Sequence, residues 1–413
     1  MTSTGIFHPG RQHSWHTTAA LSAAGALGWY ATSIYHDPAR FPYSLAERLP
    51  GRLGLRSRAF LRRRANDLID LSCVRHLPAW EWTELALAKL SMRRAAEQAN
   101  EIGNAVFQRA VLRLVRREPM QRLWGYDTSS HLVFQAMRNQ GVSCVLDQSI
   151  AHMGGLRTRL LAERESFPEL IDDADIPTQA QSDRSTAEVR SASHVVVGCQ
   201  YAAALARQHG AAPDQVHVCP YGYEEANFPR VYSEPQGIGR LPVRFVFVGT
   251  VSIRKGFHHL VEVFSRMSLE VAVLTLVGPS SIPEETLRKR LGNIQYRSAI
   301  PNNELRTLLT SSHCFVFPSL HEGGGIVLYE AAACGLGIVQ SSNCGDGVRS
   351  GPLGSNGIVL RDNTVEELRE AIDGIIARPS VLRDWSAASW AMREERTWSA
   401  YRRRIMELSP KLI

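Results

Sequence analysis

Lysine is nearly missing from this chain. Of its 413 residues 47 are lysine or arginine, yet only Lys89, Lys255, Lys289 and Lys411 are lysine, which leaves 43 arginines. Genome composition alone produces such a bias, but it makes each lysine worth a chemical reading. Cysteine is also sparse. Cys73, Cys144, Cys199, Cys219, Cys314, Cys334 and Cys344 are odd in number and never spaced CxxC. That indicates neither a disulfide framework nor a zinc site and suits a reducing compartment. Long apolar runs are missing too. The most apolar stretch, Ala19 to Ile34, is broken by Ser22, Gly25, Gly28, Thr32 and Ser33, whereas a spanning helix needs ~20 predominantly apolar residues. The opening MTSTGIFHPGRQHSW lacks the basic start and apolar run of a secretion signal. These absences predict a cytoplasmic chain that does not span a membrane. There is no repeat of solenoid length and no GxGxxG, because Gly345-x-Gly347 followed by Gly351 has the wrong spacing. A dinucleotide-dependent redox enzyme is therefore not indicated.

What is present is ordinary globular composition, 44% hydrophobic and 21% charged with a formal charge of +7, enough chain for two large domains. The second half alternates β-rich runs with helix-period stripes. The runs are Val243–Val248, Val271–Val277, Cys314–Pro318, Gly337–Gln340 and Gly357–Leu360. The stripes include Leu260, Phe264 and Met267, then Leu305, Leu308 and Leu309, then Leu368, Ile372 and Ile375 behind the capping box Thr364-x-x-Glu367. Such alternation predicts a parallel sheet covered on both faces. The first half repeats it less clearly, with strands expected at Trp29–Ile34, Arg122–Gly125, Val142–Leu146, Val195–Val197 and Val216–Cys219. The Pro- and Gly-rich stretch between Tyr221 and Leu241 reads as a linker. The fold class expected is α/β, two Rossmann-like doubly wound domains facing across a cleft.

Two motifs carry chemistry. In HEGGGIVLYEAAACGLGIV, Glu322 and Glu330 flank seven residues that begin with Gly323, Gly324 and Gly325, directly after the strand CFVFPS. A strand, a glycine turn and a helix make an anion site, since backbone N–H groups approach the ligand and the helix N-terminus adds positive dipole. Glu322 at the turn can accept hydrogen bonds from sugar hydroxyls, and Glu330 two turns on can reach a ribose diol. In FVFVGTVSIRKGF, the first strand of the second half ends at Gly249 and Thr250, and the loop brings Arg254 and Lys255 to the carboxyl end of that strand. Open α/β sheets bind ligands there, and an ammonium beside a guanidinium suits phosphate.

On these motifs, with CGDGVRSGPLGSNGIVL, ASHVVVGCQYAAALARQHG and the terminal RTWSAYRRRIMEL in the same order, the chain resembles the GT-B glycosyltransferases of the family 4 type, which retain anomeric configuration and use nucleotide-activated sugars. The similarity runs from about Ser191 to Leu408. It implies a first domain over 1–222, a linker over 223–241, a donor-binding domain over 242–392 and a terminal helix over 393–413 crossing back to the first domain. By position, Arg254, Lys255, Gly249, Thr250, Gly324 and Gly325 would hold the donor diphosphate, Glu322, Gly323 and Gly324 the transferred sugar, and Glu330 the ribose. Thr250 stands where many members have arginine, and Arg254 is the candidate to compensate. Gly337 replaces a common proline. His152, after the strand ending in Asp147, is the candidate to contact the sugar, with Asp147 and Gln148 as alternatives. Glu322, His152 and Lys255 would be the catalytic set. The loop FHPGRQHSW would present His8, Gly10, Arg11 and His13 to a phosphate or to the acceptor, with His8 and His13 as surface residues the alternative.

The resemblance calls for no metal or resident cofactor, only a nucleoside-diphosphate sugar as co-substrate and a glycan or lipid-linked glycan as acceptor. Asp173-Ala174-Asp175 matches the DxD of another glycosyltransferase fold but follows no β-run, so it reads as a polar loop. Arg48 to Arg64 holds seven arginines and no acid, with Leu53, Leu55, Phe60 and Leu61 interleaved. Such a segment suits an anionic membrane surface, and equally a solvated helix face. Two rival readings are a sugar-nucleotide epimerase or phosphorylase on the same architecture and a basic nucleic-acid-binding protein. The second lacks any recognisable module or aromatic platform, so no nucleic-acid partner is expected.

Overall fold

A computed structural model describes residues 3–10, 13–41, 43–48, 51–77, 83, 87 and 93–412, apart from the side chains of residues 46, 52–56, 59, 93, 94, 96 and 97. Seven parallel strands form the first sheet: β1 (Thr4–Phe7), β2 (Leu27–Thr32), β3 (Val74–His76), β4 (Arg122–Tyr126), β5 (Ser143–Gln148), β6 (His194–Val197) and β7 (Val216–Val218), in the order β3-β2-β1-β4-β5-β6-β7. Six more make the second sheet: β8 (Val243–Val248), β9 (Ala272–Val277), β10 (Gln295–Arg297), β11 (Cys314–Phe317), β12 (Gly337–Ser341) and, after the small hairpin β13 (Ser350–Gly351) and β14 (Gly354–Ser355), β15 (Gly357–Leu360). Their order is β10-β9-β8-β11-β12-β15, again all parallel. Both orders reverse direction next to the first strand of the sheet, the place where doubly wound sheets open a crevice at their carboxyl edge. The fold is the two-domain α/β architecture that the alternation of strands and helices predicts.

The helices that position the site are α1 (Ser14–Ala23), α2 (Tyr43–Arg48), α3 (Gly51–Arg62), α4 (Arg93–Arg117), α5 (His131–Met137), α6 (Met153–Ser166), α7 (Gln179–Ser191), α8 (Gln200–Gln208), α9 (Phe257–Phe264), α10 (Glu284–Leu291), α11 (Asn302–Ser311), α12 (Ile326–Ala333), α13 (Val365–Ala377), α14 (Val381–Met392) and α15 (Trp398–Leu408). Strands β8, β11 and β12 are buried almost throughout, as strands covered on both faces must be. Leu156 and Leu160 of α6 pack into the core of the second sheet. Tyr401, Ile405 and Leu412 pack into the core of the first, beside Ile6, Trp124 and Val145. The buried Arg122 guanidinium holds that terminus, donating to the Leu412 carbonyl at 3.2 Å and to Ser409 Oγ at 2.8 Å. The chain thus passes between the sheets twice, and the two passages pair: Tyr223 N donates to the Arg396 carbonyl at 2.9 Å and Trp398 N to the Tyr223 carbonyl at 3.2 Å. No helix among the described residues is long and apolar enough to cross a membrane.

Candidate functional site

The loop after β8 and the turn after β11 meet. Ser252, Ile253 and Gly256 close a single 3-10 turn that ends in a left-handed Gly256, φ 78°. A Cβ there would sit 2.1 Å from the Pro318 carbonyl, so only glycine lets the loop lie against the end of β11. The Arg254 carbonyl accepts from Leu320 N at 2.8 Å and lies 3.1 Å from Ser319 Oγ. This strap sets both cations beside Glu322. The Lys255 ammonium pairs with Glu322 Oε1, Arg254 Nη1 donates to the same oxygen at 2.9 Å, and Ser319 Oγ donates to it at 2.8 Å. Burial pushes the Glu322 carboxyl up, but Lys255 and Arg254 beside it hold it below the usual carboxylate range. Burial pulls the Lys255 ammonium down, opposed by Glu322. The Lys255 ammonium also lies 5.0 Å from the centre of the Phe317 ring.

The glycine turn is wedged into the first domain. A Cβ on Gly323 would fall 1.9 Å from the Ser149 carbonyl oxygen, and one on Gly324 would meet the Tyr221 ring at 2.4 Å. Gly325 is left-handed, φ 58°, and starts α12. His321 is fully buried and spans the seam: its Nε2–H donates to the Ala151 carbonyl at 2.8 Å, and Tyr201 OH donates to its Nδ1 at 2.9 Å. Burial pulls its pKa down to about 4, which keeps the ring neutral and fixes that tautomer. Arg159 of α6 donates to Asn343 Oδ1 at 3.1 Å, and the Asn343 carbonyl accepts from Glu322 N at 3.0 Å. The Glu322 backbone is therefore tied to the first domain through Asn343. Ser319, His321, Asn343, Arg159 and Tyr201 carried no signal in the sequence beyond the nearness of the first two to Glu322.

Glu330 is set apart from this cluster. It lines a small cavity of about 110 Å³ with Asn227, Phe228, Asn302, Leu305 and Arg306. Burial pushes its carboxyl up to about 7. Gly249 ends β8 at φ 149°, its carbonyl 2.1 Å from where a Cβ on Gly278 would stand, and Thr250 is exposed in the loop that follows.

The first-domain candidates fall differently. His152 caps α6: its Nδ1 accepts from Gly154 N at 3.0 Å, its Nε2 lies 3.2 Å from Thr186 Oγ1, and its ring stacks on His209 at 3.5 Å. With no exposure and its pKa pulled down to about 3 by burial, it has no free ring nitrogen to offer a sugar, which corrects the role read for it from its place after β5. Asp147 is equally committed, accepting from Trp124 Nε1 and Tyr221 OH at 3.2 Å and contacting His13 Nε2 at 3.1 Å. Gln148 differs, for its Oε1 is buried without a partner among the described residues. His8 is buried, donates Nδ1–H to the Gly10 carbonyl at 2.7 Å, and has its pKa pulled down to about 4 by burial. Arg11 lies outside the described residues. Asp127, beyond the end of β4, accepts from Ser149 N at 3.1 Å and is raised by burial, and it too went unread in the sequence.

Asp173–Asp175 forms a 3-10 turn in which Asp173 pairs with Arg164 at 2.5 Å. In the basic segment, Leu61 is buried with Ile34 and Tyr43 while Phe41, Leu45 and Phe60 are exposed. The side chains of Arg52, Leu53, Leu55 and Arg56 lie outside the described residues.

Residues 232–390 match the family described as glycosyl transferases group 1. The alpha-maltose-1-phosphate synthase of Mycobacterium tuberculosis strain H37Rv is 30% identical over 222 residues, 46% of this chain and 57% of the synthase. The O-antigen chain mannosyltransferase B of Escherichia coli is 28% identical over 134 residues, 30% of this chain and 34% of that enzyme. The chain thus spans between a third and little more than half the length of these curated relatives. Among solved structures, the sucrose-phosphate synthase of Thermosynechococcus elongatus superposes over 100% of this chain and 99% of its own, with a TM-score of 0.63 at 16% identity. Anabaena Alr3699/HepE in complex with UDP-glucose superposes over both whole chains with a TM-score of 0.60 at 13% identity. Residues 232–390 thus resemble the glycosyl transferases group 1, and the chain as a whole shares the two-domain GT-B fold of these solved structures.

Proposed function

We propose that the protein is a retaining glycosyltransferase that moves a hexosyl group from a nucleoside-diphosphate sugar to a glycan or lipid-linked glycan, of the kind assembled into surface or extracellular polysaccharide. The observation that carries this reading is the convergence of Lys255 and Arg254 on the buried Glu322 carboxylate, one residue before the triple-glycine turn. Two cations gathered on one carboxylate are held ready for a more highly charged anion. When a donor binds, its diphosphate takes over Lys255 and Arg254, and Glu322 is released to accept hydrogen bonds from the sugar hydroxyls. Gly324, Gly325 and the start of α12 add N–H groups and the positive end of the helix. The names of the relatives agree, since they are synthases and transferases of sugars, one of them solved with UDP-glucose.

In the reaction the bond between the anomeric carbon and the phosphate oxygen breaks while a bond from the acceptor oxygen forms on the same face. The leaving diphosphate gathers negative charge, which Lys255 and Arg254 stabilise from fixed positions in a water-poor cleft, usually the largest contribution to such catalysis. The acceptor proton passes to the departing phosphate oxygen, so neither a second carboxylate nor a metal is required. Glu330 receives the ribose diol, whose hydroxyls would donate to its carboxyl in the small cavity that it lines. The loop carrying His8, Gly10 and His13 forms the acceptor side, with His152 shaping the wall through its cap on α6. The exposed Phe41, Leu45 and Phe60 beside the basic helix α3 suit a cytoplasmic protein resting on an anionic inner membrane face.

A thermal-shift screen of the whole chain against sugar nucleotides and free nucleoside diphosphates tests the donor, and NMR of the product's anomeric proton tests retention. Stabilisation by a sugar nucleotide and an α-product from an α-donor are expected. Failure of every sugar nucleotide to stabilise the protein would sink the transferase reading, and an inverted product would remove its retaining half.

A further inference from the structure

A second polar cluster lies outside everything the sugar reaction uses. Glu163 of α6, in the first domain, meets His258 and His259 at the start of α9, in the second, with Glu163 Oε2 2.9 Å from His258 Nε2 and 3.4 Å from His259 Nε2. The three ligand atoms all lie within 4.8 Å of one another. Both imidazoles are buried, while Glu163 keeps 18% of its side chain exposed, which leaves a way in. Phe167 stands edge-on to the His258 ring at 4.7 Å and walls the cluster. Neither Nδ1 atom has a hydrogen-bond partner among the described residues, so the polar capacity of both rings is turned on Glu163 alone.

We propose that Glu163, His258 and His259 form a site for one borderline d-block cation, zinc before others, which clamps the two domains together. Two imidazoles and a carboxylate select zinc, nickel or copper over magnesium or calcium, which take oxygen ligands. Tetrahedral zinc, with Zn–N of about 2.0–2.1 Å and Zn–O of about 2.0–2.2 Å, spaces its ligands roughly 3.4 Å apart. The two edges to Glu163 stand at and slightly inside that spacing, and the edge between the imidazoles is within 4.8 Å, so loading draws the rings in by side-chain shifts. The fourth position falls to water on the exposed side of Glu163. Binding through Nε2 moves each ring's proton to Nδ1, where no acceptor waits. A missing outer partner costs about 10–100-fold in affinity, which makes this a loosely held, regulatory cation rather than a resident one. Because the ligands come from both domains, the loaded site resists their separation and should slow turnover by slowing release.

The test uses the full chain, stripped with a chelator and titrated with Co2+ alone and Zn2+ alone. One Co2+ per chain with the visible absorption of a tetrahedral ion, displaced by Zn2+, is expected, together with a higher unfolding temperature in Zn2+ and no response to Mg2+. His259→Gln and Glu163→Gln, both close in shape to the parent residues, should weaken Co2+ at least ~10-fold while keeping sugar-nucleotide stabilisation, which shows that they fold. No cobalt spectrum in the parent at millimolar metal, or the same spectrum and affinity in both variants, overturns the site. Neither result bears on the donor reading, which rests on other residues.

Discussion

Removal of the Lys255 ammonium perturbs two states of the protein at once, and the structure sets the size of each effect. In the free protein, Lys255→Ala leaves Glu322 buried with Arg254 Nη1 at 2.9 Å and Ser319 Oγ at 2.8 Å as its remaining donors. Breaking a buried ion pair outright costs about 3–5 kcal/mol. With two donors still in place the loss should be smaller, about 1–3 kcal/mol. In the donor complex the lost contact is one charge-assisted hydrogen bond to phosphate, worth about 1.5–3 kcal/mol, and at 1.4 kcal/mol per tenfold this weakens the sugar nucleotide by roughly 10–150-fold. Isothermal titration of the sugar nucleotide into parent and variant measures the second effect, and denaturant unfolding without ligand measures the first. Adding Glu322→Gln separates them: it removes the buried charge that has lost one of its two cations, so the double variant should recover part of the stability that Lys255→Ala loses, without recovering donor affinity. A folded Lys255→Ala protein whose donor Kd stays within about threefold of the parent would refute the assignment of Lys255 to the diphosphate.

Three further outcomes follow from the geometry. Burial raises the Glu330 carboxyl to about 7, and diol hydroxyls bind its charged form, so affinity for an intact sugar nucleotide should rise as pH increases through 7 and level off above it; a flat profile in the parent, or one unchanged in Glu330→Gln, removes Glu330 from the ribose. Gly323→Ala places a methyl 1.9 Å from the Ser149 carbonyl, so the turn must shift. Overpacking of this kind costs about 1–3 kcal/mol, which should appear as a kcat/KM reduced roughly 5–150-fold, and full activity would show that the seam is looser than described. His8 and His321 are held neutral by burial, each with its pKa pulled from 6.5 down to about 4. The unfolded chain takes up those protons first, so stability is complete above about pH 6.5 and falls toward pH 4, by about 3 kcal/mol at most for each ring. Denaturant unfolding at pH 7 and pH 5 in parent, His8→Asn and His321→Asn measures this, and equal slopes in all three would count against it.

The second sheet was legible because its strands are short apolar runs between polar helices, and β8 and β15 fall on the residues read from the pattern alone. The edge strands β3 (Val74–His76) and β10 (Gln295–Arg297) were not, since three residues containing His, Arg or Gln, with at most one of them buried, have no apolar alternation to detect. Lys255 and Glu322 were readable because each sits at a strand end inside its own motif. The seam was not, because its partners are remote in sequence: His321 depends on Tyr201 and Ala151, 120 and 170 residues away. The same remoteness explains His152. Its position after β5 is visible in the sequence, but the His209 ring stacked on it and the Thr186 hydroxyl at its Nε2 are not. A lone histidine pattern cannot distinguish a ring offered to a ligand from one spent on a cap.

Glu322 separates the sugar from the diphosphate, so comparing its effect on two ligands tests the central claim most directly. Isothermal titration of the Glu322→Gln protein should show affinity for the intact sugar nucleotide lowered by about tenfold or more, because a charged acceptor for the sugar hydroxyls is gone. The bare nucleoside diphosphate should bind as well as in the parent or better, because Lys255 and Arg254 no longer share their charge with a carboxylate. Equal losses for both ligands, or a loss confined to the bare diphosphate, would contradict the account.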